Sequence, residues 1–163
     1  MILGMSVETF TFIHVVLSLV CIMTGFIVVA LMLQCAPIAG WNVFFLISAI
    51  LTSVTGFFFF PISGMTPAQV VGAISIVALA VALYAIYGRQ LKGPWRGIYV
   101  GTAVFALYLN CFVLVVQSFA KFPYLHKFAP TGSEPAFAIT QGVVLVALVI
   151  LGIAAVRRYR PVD

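Results

Sequence analysis

Charge is what this chain has least of. Three acidic and eight basic side chains make up 7% of its 163 residues. A water-soluble domain needs a far more charged surface, so the soluble classes are excluded first. None of the three acids (Glu8, Glu134, Asp163) lies inside a long apolar run. That argues against intramembrane aspartyl chemistry, and against ion pumping through charged groups at a bilayer midplane. Histidine is scarce too: of His14 and His126, only His14 falls within an apolar run. A haem held between two histidines is thereby disfavoured, while a haem with one histidine ligand stays open. The three cysteines (Cys21, Cys35, Cys111) form no CxxC pair, and Cys21 and Cys111 read as small core residues. There is no HExxH, no zinc-type Cys/His spacing, no phosphate loop and no recognisable Ser/His/acid arrangement. The sequence assigns no cofactor and no metal.

What remains is apolar. Hydrophobic residues are 64% of the chain, and its mean hydropathy is +1.26. A hydrocarbon core about 30 Å thick needs roughly 20 apolar residues of helix. Five runs are long enough, at about 9–33, 41–60, 67–88, 96–121 and 136–156. Period-two alternation over strand-length segments is absent, so a β-barrel is not expected. The predicted fold class is all-α: one integral membrane bundle of five transmembrane helices, forming a single domain over 1–163. Thr66, Pro67 and Gln69 form a capping-box start for the third run. Glu134 before Pro135 starts the fifth, near the positive end of that helix's dipole.

The basic residues give the expected orientation. Arg89, Lys92 and Arg96 follow the third run, and Arg157, Arg158 and Arg160 follow the fifth. Both groups fall on one side of a five-span bundle, which the positive-inside rule makes cytoplasmic. The N-terminus is then outside and the C-terminus inside. The stretch MILGMSVETF has no Lys or Arg, hence no basic region of a signal peptide, so the first span is expected to be retained. The net charge of +5 belongs to these flanking clusters. It points to anionic lipid headgroups and not to nucleic acid. Small residues should mark helix contacts: Ala68, Gly72, Ser75, Ala78, Ala82 and Ala85 on the third span, and the Gly97/Gly101 pair on the fourth. That glycine pair serves either internal packing or a dimer face.

The polar residues of the spans align. At about 100° per residue, Asn110, Gln117 and Lys121 share one face of the fourth helix. His14, Ser18, Cys21 and Gly25 fall within about 60° of arc on the first helix, as do Ser48, Thr52 and Thr55 on the second. All three stripes are weighted to the outer leaflet, and the inner half reads as apolar with basic anchors. Two readings stand side by side. Hydroxyls in membrane helices often only bond a carbonyl one turn back, amides often glue helices together, and a terminal lysine can reach the headgroups. Alternatively His14, Ser18, Thr52, Thr55, Asn110, Gln117 and Lys121 line a binding site. An ionisable residue inside a span raises that second reading by itself. The connection FPYLHKFAPTGSEP (122–135) is the longest, and lies either at the interface or over the outer end of the bundle.

TSVTGFFFFP (52–61), WRGIYV (95–100), ALYLNCFVLVVQSFAK (106–121) and PTGSEPAF (130–137) resemble stretches of a family of small multi-span bacterial inner-membrane proteins of unknown function. The main departure is one extra Phe before Pro61. The resemblance implies a bacterial cytoplasmic membrane and a shared multi-span fold. It carries no activity and no functional residue. The expected function is a non-catalytic accessory subunit of a membrane complex or homo-oligomer, or a protein that binds a lipid or quinone in its outer half. The alternatives are a redox protein or enzyme using His14 as ligand or proton carrier, and a small-molecule transporter.

Overall fold

The computed structural model describes residues 2–59 and 66–160. Among the described residues six helices follow one another: α1 (Val7–Leu33), α2 (Ala39–Phe57), α3 (Pro67–Leu83), α4 (Trp95–Lys121), the short α5 (Pro123–His126) and α6 (Pro135–Arg158). No strand occurs among the described residues. α1, α2, α3 with its continuation to Gly88, α4 and α6 are each long and apolar enough to cross a membrane.

The boundaries shift by small amounts for identifiable reasons. α1 starts two residues before the expected 9 because Ser6 caps it, its Oγ accepting from the Thr9 N–H at 3.1 Å. α2 starts at Ala39 and ends at Phe57, short of the expected 60. Phe58 and Phe59 form a turn, and the expected connection PISGMT falls almost wholly outside the described residues. In α3 the Gln69 side chain accepts from the Thr66 N–H, as the capping box requires. α3 runs into a π-helical turn, Tyr84–Gly88, where the Arg89 N–H reaches back five residues to the Tyr84 carbonyl at 2.9 Å. Nothing in the apolar pattern marks that change of pitch.

Glu134 is the N-cap residue of α6, but its side chain makes no bond to the helix and folds back on the loop before it. Its carboxylate accepts from the backbone N–H groups of Thr131 and Ser133, both at 3.0 Å, and from the Thr131 hydroxyl at 2.9 Å. The Thr131 N–H is the main cause holding the Glu134 carboxyl below its usual pKa of 4.5. A depressed carboxyl stabilises the folded loop above its unfolded pKa, and that stabilisation is lost as pH falls through the folded value. Amide hydrogen exchange at Thr131 and Ser133 should therefore speed up as pH drops below about 4.5, beyond the intrinsic chemistry of exchange. Glu134→Gln should remove that dependence. A wild-type profile that ran parallel to the variant's would refute these bonds.

α4 is the central helix. It packs against α1, α3 and α6, and half of its most apolar stretch is buried, against 17% for α6. α2 sits between α1 and α3, and α6 lies outside α4 and α1. Ser75, Ala78 and Ala82 are buried on α3 and Ala85 in the π turn, while Ala68 is exposed. The core holds Val28, Met32, Phe45, Leu79, Val100 and Leu107. The outside is apolar as well: Phe12, Phe44, Val77, Ile139, Val143 and Ile150 are each 61% to 69% exposed. So wide an apolar surface is not one that a water-soluble monomer carries.

The chain order defines two ends. The start of α1, the end of α2, the start of α3 and the α4–α6 connection lie at one, the His14 end. The α1–α2 turn, the π turn and the end of α6 lie at the other, the basic end, with Arg89, Lys92, Arg96, Arg157, Arg158 and Arg160. The expectation that this half would be apolar apart from its anchors is not met. Asn42 and Tyr99 are 1% and 0% exposed, and the tyrosine hydroxyl donates to the Asn42 Oδ1. Close by, Arg96 donates to the Tyr159 carbonyl, and the Cys35 thiol donates to the Arg158 carbonyl at 3.1 Å.

Candidate functional site

Three contacts set the register of α1 against α2. His14 Nδ1 lies 2.8 Å from Thr55 Oγ1. The Cys21 thiol meets the Ser48 hydroxyl. The Gly25 backbone lies against the Phe45 ring. The helices are antiparallel, so Ser18 stands level with Thr52. α1 and α4 are registered in the same way. Lys121 is within electrostatic reach of His14, Cys111 within reach of Cys21, and Leu107 rests on Gly25. This places Ser18 near the level of Gln117.

The stripes therefore stack as a column on three helices. His14, Thr55 and Lys121 form its outermost level. Ser18, Thr52 and Gln117 come next, then Cys21, Ser48 and Cys111. Phe45 and Leu107, closed over Gly25, form an apolar floor.

The hydrogen bonds divide these residues into two kinds. Ser48 donates to the Phe44 carbonyl at 2.7 Å, a bond within its own helix. The Asn110 amide nitrogen likewise donates to the Ala106 carbonyl at 3.0 Å and crosses to no other helix. Thr55 does more. Its hydroxyl donates to the Leu51 carbonyl at 2.7 Å, which takes its single proton. In the tautomer with the ring proton on Nδ1, that oxygen accepts from His14 and Nε2 keeps its lone pair. Ser18 and Gln117, both half-buried, have no hydrogen-bond partner among the described residues, and the buried Thr52 Oγ1 has none either. Lys121 is exposed at the last turn of α4.

Aromatic rings wall this end. The His14 ring meets Phe59 edge-on at 5.5 Å between centroids, and Phe10 meets Phe59 at 5.3 Å and Phe58 at 6.1 Å. Beyond Lys121 the chain turns through α5, whose Tyr124 packs edge-on against Phe128 at 5.4 Å. Phe122, Tyr124 and Phe128 all stay exposed.

Some buried polar residues escaped the sequence reading. Gln141 donates from Nε2 to the Phe112 carbonyl at 3.1 Å and ties α6 to α4, while its Oε1 is buried without a partner. Gln141 and Asn42 each stand alone near a helix start, where a polar residue reads as interfacial, so no periodic signal could have shown their burial. Among the described residues no cluster of three or more His, Cys, Asp or Glu side chains could hold a metal ion.

The arrangement defines a class: a bundle of five helices with membrane-spanning length and composition, with polar side chains of three of them stacked towards one end. No family model, curated protein or solved structure matches the chain.

Proposed function

We propose that this protein spans the bacterial cytoplasmic membrane five times, with its N-terminus outside, and binds the polar head of a lipophilic molecule, a quinone or lipid, at its His14 end. The apolar exterior and the one-sided basic residues support the placement. The resemblance to small bacterial inner-membrane proteins supports the compartment. The observation that carries the binding reading is the His14–Thr55 bond. It orients the ring, and with the proton on Nδ1 it makes Nε2 an acceptor within electrostatic reach of the Lys121 ammonium. A quinol hydroxyl could donate to Nε2, and a quinone carbonyl could accept from Lys121 or from the Gln117 amide. The apolar floor at Gly25 supports a binding site over a transport path. The role is that of a non-catalytic accessory or ligand-holding subunit, alone or within a larger membrane complex.

Quinone extracted from protein purified out of native membranes tests this reading. Wild type should retain it in stoichiometric amount. His14→Leu should lower retention about tenfold or more, the weight of one hydrogen bond to a polar partner. An extract holding no more quinone or distinct lipid than the bulk membrane would overturn the reading.

One observation favours a second reading, a redox protein. A histidine with one ring nitrogen fixed by a hydrogen bond is also how proteins present Nε2 to a haem iron. The visible spectrum of the purified protein separates the two, since only this reading predicts a Soret band that His14→Leu abolishes.

A further inference from the structure

A groove of about 440 Å³ runs between α4 and α6, away from the His14 column. Val104, Tyr108 and Leu148 line it, and Gly101 and Gly152 leave it open. Gly152 packs close to Val104, where an added Cβ would come within 3.2 Å of Cγ1, whereas a Cβ on Gly101 would meet nothing within 4 Å. Of the sequence's glycine pair, Gly97 faces Val156 of α6 and serves internal packing, while Gly101 serves the groove. From Leu145 to Arg157 the α6 wall is about 18 Å long at 1.5 Å per residue, close to the depth of one leaflet. Apart from Arg157 at its mouth, the lining is apolar.

Of the other cations at this end three are engaged, while Lys92 and Arg158 are exposed with no side-chain partner among the described residues. Arg96 and Arg160 donate to the Tyr159 carbonyl, and Arg89 lies over the Trp95 ring at 5.4 Å. Arg157 has no hydrogen-bond or ion-pair partner among the described residues and is exposed. We infer that this groove is a binding site for one anionic phospholipid of the leaflet at the basic end. An acyl chain lies along Gly101, Val104 and Leu148, and the phosphate sits at the Arg157 guanidinium. Charge complementarity selects the headgroup, and the match between groove and leaflet depth selects a lipid over a small soluble anion. The inference rests on the bilayer placement proposed above and is independent of the His14 station.

The full chain in nanodiscs of equimolar phosphatidylglycerol and phosphatidylcholine tests it, with the lipid retained on release counted by native mass spectrometry. Wild type should keep phosphatidylglycerol in preference to phosphatidylcholine. Arg157→Gln should cut that preference about fivefold, the weight of one basic side chain at a membrane surface. Lys92→Gln, at the same end but outside the groove, should change it little. Gly101→Leu fills open space, so it should fold normally and lower retention of both lipids. Equal retention of the two lipids by wild type would overturn the site. So would an equal loss in Lys92→Gln, which would mean diffuse attraction. A wild-type dimer that Gly101→Leu dissociates would show the occupant to be a second copy of the chain. Failure to reconstitute into nanodiscs at all would count against the bilayer placement itself.

Discussion

Gly25→Leu should destabilise the bundle by about 3 kcal/mol, the upper range for forcing extra carbons into a packed interior. A Cβ at Gly25 would lie 2.8 Å from Leu107 Cδ1 and 2.9 Å from Phe45 Cε2, closer than atoms in a core approach. Those side chains are 0% and 1% exposed and cannot swing away without displacing neighbours. The point is where α1, α2 and α4 meet, so the strain reaches three helices at once. Gly25→Ala should cost less, about 1 kcal/mol. Gly25→Leu combined with Leu107→Ala should recover part of the loss, since the second change vacates the volume the first one fills. Unfolding of the detergent-solubilised protein measures all three. A neutral Gly25→Leu would mean that the floor of the polar column is not closed as described.

Second in expected effect is a double-mutant cycle on Asn42 and Tyr99. The pair joins α2 to α4 in a nearly solvent-free setting. Tyr99→Phe leaves the Asn42 amide buried without its partner, and Asn42→Leu does the same to the Tyr99 hydroxyl. Each should cost about 1–3 kcal/mol, the penalty of stranding a buried polar group. Changing both should cost clearly less than the two singles together, because neither polar group is then left behind. Interhelical hydrogen bonds in membrane bundles average only about 0.6 kcal/mol. The coupling expected here exceeds that average because the pair is so fully enclosed. Additive losses would show that the two residues do not act through their shared bond.

Much of the architecture was legible in the residues. Five runs with almost no charge cannot form anything but helices if each is to satisfy its own backbone in an apolar setting. Their ends were marked by local chemistry, as at Thr66 with Gln69 and at Glu134, and the structure moves them by only a few positions. The rotational phase of each polar stripe was also readable, because helical geometry fixes which side chains share a face.

Depth was less legible. His14 and Thr55 were each recognisable as polar and near one end. That they bond each other depends on how far α1 slides against α2. Asn110 shows the limit most clearly. It lies on the same face as Gln117, yet its amide bonds the Ala106 carbonyl of its own helix.

Composition and periodicity were enough for the all-helical class, the five long apolar helices and the side of each that carries polar groups. Those follow from composition and from a period set by the covalent chain. Only the tertiary structure decided that Gly25 closes the column under Phe45 and Leu107, that Asn42 finds Tyr99, and that Gly101 opens a groove while Gly97 packs on Val156. The reason is that periodicity fixes the rotation of a helix about its own axis. Its neighbours, and its height against them, are set by the close packing of all five helices together.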